Sequence, residues 1–213
     1  MALKNQLTTC KPIDWNEFLL FIEFLKENKK YKLMLISSVV AYTGMKPNDA
    51  LKLKWKDIIN VNKIKINNDS PTLFNQIPIH NHLQLIINLC YDQVSGHINI
   101  LNKYIFGNKH KGGGSVSIQY FNKITKDAFK SYGMINMSGN SSSQIFRKIF
   151  AHRFYQKNIH NINAILVLTN ILTRHRYSFL NKVESNSIAI LRGYLGYTNV
   201  VDEDYVKNLI LSL

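Results

Sequence analysis

Two residues set the chemistry open to this chain. Arg147 lies just inside the start of a helix-patterned segment, SQIFRKIFAHRFYQK (143–157), and Tyr194 sits in a short apolar run near the C-terminus, LRGYLGY (191–197). A guanidinium presents a planar fork to two non-bridging oxygens of a phosphate. A phenol is a nucleophile that can hold a broken phosphodiester as a phosphotyrosine ester, so that the strand is rejoined without metal or nucleotide. Each residue also has a plain structural reading: Arg147 as a solvated charge on a helix surface, and Tyr194 as a half-buried tyrosine beside Leu191 and Leu195.

The composition agrees with a polyanionic partner. The 213 residues carry 27 Lys and Arg against 13 Asp and Glu, a net charge of +14 spread along the chain and not gathered in a tail. A preference for Lys over Arg is what AT-rich coding would give, but it does not account for so few acids. With 46% hydrophobic residues the chain has ample material for a core. Cys10 and Cys90 can form no disulfide framework and no CxxC motif. The N-terminal residues lack the apolar core of a signal peptide, and the longest apolar run, 33–42, is too short to span a bilayer. A reducing, cytoplasmic setting without membrane association is the expectation.

Positioning elements follow from periodicity. Asp14 with Glu17 forms a capping-box pattern ahead of Trp15, Phe18, Leu19, Ile22 and Leu25 at helical spacing. Lys29, Lys30 and Lys32 mark a polar turn. The run LMLISSVVAY (33–42) is apolar all round and predicts a buried central helix ended by Gly44. Pro47 suits the first position of a helix over PNDALKLKW. Alternation in IINVNKIKI (58–66) and the run IPI (77–79) predict a small antiparallel hairpin. Helices are expected over 82–91, over 118–131 with Ser117 as cap, and over 142–157 with an apolar stripe of Ile145, Phe146, Ile149, Phe150 and Phe154. Two more are expected over 161–173 and 187–195. The class is mostly α with a small antiparallel sheet in the N-terminal third. GGGS (112–115) lacks the Lys-Ser/Thr of a phosphate loop and reads as a connector. The seven histidines, such as His80 and His82, lack the partners of a zinc site, so no metal is expected.

Segment by segment, the chain resembles the catalytic domain of the tyrosine recombinases, the phage-integrase family, and among them the short integrases and invertases of bacteria and mobile elements. YTGMKPNDALKLKWKDI (42–58) is similar to the family's first box, with Lys46 where the first catalytic arginine stands. SQIFRKIFAHRFYQK is similar to the second box, with Arg147 matching the second arginine and Gln144 in the place of a histidine. TRH (173–175) resembles the third box and gives His175, and LRGYLGY resembles the nucleophile segment and gives Tyr194. The resemblance implies that Arg147 and Lys46 stabilise the charge on a pentavalent phosphate, that His175 assists proton transfer, and that Tyr194 forms a 3′-phosphotyrosine while freeing a 5′-hydroxyl. It implies double-stranded DNA as substrate, tetrameric synapsis, and no cofactor. Lys148, Lys65, Arg174 and the loop residue Lys111 are the cations expected against the DNA backbone.

A second register takes Arg174 as the second arginine, LGY (195–197) as the glycine box and Tyr205 as nucleophile. It needs no insertion, but it leaves FRKIFAHRFY without a role. The family pattern is also altered. Lys replaces the first arginine, Gln replaces the second-box histidine, and the hairpin turn NNDSPT lacks the general-acid lysine, which Lys65 would supply only after a slip of register. Each lost donor at a phosphate typically costs ~10²–10³ in rate. A catalytically degenerate relative acting as a DNA-binding regulator is therefore the alternative function. In domain terms, residues 1–12 form an extension and 13–213 a single recombinase-like domain without the family's preceding helical clamp, so DNA affinity is expected to fall steeply with salt.

Overall fold

A computed structural model describes residues 13–65, 76–96, 98–108, 113–134 and 143–158, together with Leu168 and Leu172. Within them the chain forms six helices and one two-stranded antiparallel sheet: α1 (Trp15–Glu27), α2 (Tyr31–Thr43), α3 (Pro47–Leu51), β1 (Lys63–Lys65), β2 (Gln76–Pro78), α4 (Asn81–Ser95), α5 (Ile118–Tyr132) and α6 (Gln144–Lys157). No helix among the described residues is long and apolar enough to cross a membrane.

The centre is α2. Every residue of it is buried except Tyr31, Lys32 and Tyr42, because α1, α4 and α6 all pack around it. That explains a helix apolar on every side. Gly44 ends it at φ +66, a left-handed conformation in which glycine carries no Cβ penalty, and its N–H reaches the Val40 carbonyl at 2.9 Å. An aromatic cluster joins α1, α5 and α6: the Phe21 ring stacks on Phe129 at 4.4 Å, and Phe146 meets Phe129 at 5.8 Å and Phe18 at 6.2 Å. Burying one such ring contributes roughly 1.5–3 kcal/mol, so this cluster holds α1, α5 and α6 together.

Asp14 and Ser117 both cap their helices, but Asp14 does so alone, since Glu17 bonds Tyr132 and does not complete the expected capping box. Asp14 accepts from the Asn16 N–H at 2.8 Å and the Ser117 hydroxyl from the Tyr120 N–H at 3.2 Å. Three expectations need correction. The helix from Pro47 stops at Leu51, because the next residues leave it to pair with residues 101–105. Ile105 N–H donates to Leu53 O, Trp55 N–H to Lys103 O and Lys56 N–H to Leu101 O. Among the described residues the first strand covers Lys63–Lys65, since the Ile58 and Ile59 N–H groups bond back to the Trp55 carbonyl in a turn and Asn60 takes φ +55. On α6 the buried set is Ile145, Phe146, Arg147, Ile149, Ala151 and Tyr155. Phe150 and Phe154 are half-buried and pair with each other at 5.8 Å. The helices expected over 161–173 and 187–195 lie outside the described residues, apart from Leu168 and Leu172, both helical and buried.

Candidate functional site

The turn leaving α2 is built by short-range bonds. Thr43 Oγ1 donates to the Val39 carbonyl at 2.6 Å and accepts the Met45 N–H at 3.2 Å. Lys46 then adopts an extended conformation, as a residue before proline must, and caps α3: its carbonyl accepts from the Asp49 and Ala50 N–H groups. Its side chain is exposed.

Arg147 comes to this turn from α6. Its Nε–H donates to the Gly44 carbonyl at 2.7 Å, across 103 positions of sequence, and Nη2 donates to the Leu172 carbonyl at 2.9 Å. The side chain is only 2% exposed, so the solvated-surface reading does not hold. A buried guanidinium is costly to desolvate unless its donors are met, and here main-chain carbonyls take the Nε donor and one Nη2 donor. Arg147 thus ties Leu172 and the turn before Lys46 to the same helix.

The structure therefore gathers part of the expected set. Arg147 is bonded two residues from Lys46. Gln144 is exposed one helical turn before Arg147, and Lys148 is half-buried beside it. Lys65 is exposed on β1, opposite Gln76, and no hydrogen bond or ion pair among the described residues links it to the Gly44 turn. Tyr194, His175, Arg174, Lys111 and Tyr205 lie outside the described residues. No group of His, Cys, Asp or Glu among the described residues is arranged to hold a metal ion. His80 instead caps α4, accepting the His82 N–H at 3.1 Å.

A second cluster beside this turn has no signal in the sequence. The Arg153 guanidinium lies 3.5 Å from the Trp15 ring centroid and 5.5 Å from that of Tyr42. Trp15 and Tyr42 meet edge to face at 4.9 Å, and the Tyr42 hydroxyl is hydrogen-bonded to His82 Nδ1. Burial pushes the Tyr42 phenol above its ordinary value, with the Arg153 charge pulling the other way. The neighbouring His152 is pushed down by burial, opposed by Asp14. Cation, rings and imidazole contact one another across four helices, so the cluster clamps α1 and α4 onto the ends of α2 and α6. Cys90, buried with its thiol pushed up to about 12, carries no reactive thiolate.

Comparison with known proteins returns no match: no family model, no curated protein and no solved structure corresponds to this chain.

Proposed function

We propose that this protein is a DNA strand-exchange enzyme of the tyrosine-recombinase type. The observation that carries the reading is the Arg147–Gly44 hydrogen bond. It joins the two segments that resemble the first and second recombinase boxes, and it sets a guanidinium beside the turn that presents Lys46. Charges from distant parts of the chain converging on one turn suit a phosphate held from two sides. In this reading a non-bridging phosphate oxygen takes the place of the Leu172 carbonyl at Nη2, accepting the same hydrogen bond. With His175 assisting removal of the phenol proton, the Tyr194 oxygen attacks phosphorus; the 3′-phosphotyrosine bond forms, the bond from phosphorus to the 5′-oxygen breaks, and that oxygen takes up one proton to leave as a hydroxyl. The reverse steps seal a new strand. The cytoplasm is where such an enzyme meets its duplex, and synapsis assembles four copies.

The burial of Arg147 favours a second reading. A guanidinium already engaged by two carbonyls, beside a lysine that lacks a bidentate fork, suits a relative that keeps the fold and binds DNA as a regulator. Nicked suicide duplexes separate the two. Under the enzyme reading a covalent protein–DNA adduct accumulates and is lost in Tyr194→Phe. Salt-sensitive duplex binding with no adduct on any substrate identifies the regulator. An adduct lost only in Tyr205→Phe moves the nucleophile, and equal preference for structured RNA removes both readings.

A further inference from the structure

At the opposite end of α2 from Arg147, an open trough of about 510 Å³ runs between the α1–α2 turn, the end of α4 and the flank of α5. Its walls include Leu33, Phe106 and Ile124, and its rim carries Lys29, Lys30 and Lys32 against one acid, Asp127. The rim is preorganised. Lys29 N–H bonds to the Lys26 carbonyl at 2.9 Å and Lys30 N–H to the Leu25 carbonyl at 2.8 Å, closing the end of α1 in a rigid turn. Lys29 occupies the left-handed position of that turn at φ +55, where glycine is the unstrained choice. A lysine held there against backbone preference puts a charge at the lip of an apolar trough, and that combination points to a ligand.

We propose that this trough is a docking site for an acidic amphipathic helix of a partner protein, which lays an apolar face against Leu33, Phe106 and Ile124 and its carboxylates against the lysines. Helix-in-groove recognition needs an apolar trough with charges along one edge, and both are present. A DNA duplex would engage the lysines but has no apolar side chains for the walls. An open trough also buries too little of a small molecule to hold it firmly.

The probe is a fluorescent synthetic helical peptide with a leucine face edged by glutamates, titrated against the full chain. Saturable binding is expected, weakened about tenfold in Lys29→Gly, a loss of ~1.4 kcal/mol. The same variant should melt at the wild-type temperature or above it, because glycine relieves the left-handed strain. Ile124→Glu should also weaken binding, and a lysine-edged version of the peptide should not bind. Three results overturn the proposal: no saturable binding, binding insensitive to Lys29→Gly and Ile124→Glu, or equal binding of a glutamate peptide without leucines. Duplex DNA displacing the peptide with the same dependence on Ile124 would equally refute it.

Discussion

The two ends of α2 are built on opposite principles. At its C-terminal end Gly44, Thr43 and the incoming Arg147 form a closed polar lock, with hydrogen bonds of 2.6 to 3.2 Å and a charge 2% exposed. At its N-terminal end Lys29, Lys30 and Lys32 stand around an open apolar trough. Between them, residues 33–41 are all buried and do not distinguish the two ends. The two ends therefore differ in what meets them: at one a charge is taken inward onto carbonyls, at the other lysines line an apolar trough.

The largest expected effect breaks the lock. Arg147→Met strands the Gly44 and Leu172 carbonyls and should lower stability by ~2–5 kcal/mol in denaturant unfolding. A loss below about 1 kcal/mol would mean the lock is dispensable. Arg153→Ala removes the cation from Trp15 and Tyr42 and should cost ~0.5–2 kcal/mol, measured the same way. The loss should shrink in a Trp15→Leu background, since the partner ring is then already gone. The smallest effect is one of pH. Burial depresses His152, so the unfolded chain binds its proton more readily than the folded one. The stability this supplies is full above the ordinary value of about 6.5 and is lost as pH falls through the lower folded value. His152→Gln should flatten that part of the stability–pH curve, and an unchanged slope would assign the dependence elsewhere.

What could be read from residue order alone was what depends on neighbours. The Asp14 and Ser117 cap residues, the helix end at Gly44 and the burial of α2 on every side are local or nearly so, and each is present. The pairing of residues 53–56 with 101–105, which cuts α3 short, depends on a distant segment and leaves no periodic trace. The same holds for the site. That Arg147 mattered was visible from its position in an apolar helix. That it would be buried and bonded to Gly44 was not, because an arginine inside a hydrophobic stripe looks alike whether it reaches water or a carbonyl 103 positions away. The Trp15–Arg153–Tyr42 stack leaves no trace in residue order for the same reason, as its members are scattered over α1, α2 and α6.

Under the strand-exchange reading, the turn beside Arg147 presents Lys46 to a DNA phosphate. Lys46→Arg tests it most directly, because the exposed position accepts the longer head and gains the bidentate fork that lysine lacks. The initial rate of covalent adduct formation on a nicked duplex should rise by about tenfold or more over the parent protein, for one restored donor pair. An unchanged or slower rate, with folding and duplex affinity intact, would place the phosphate somewhere other than this turn.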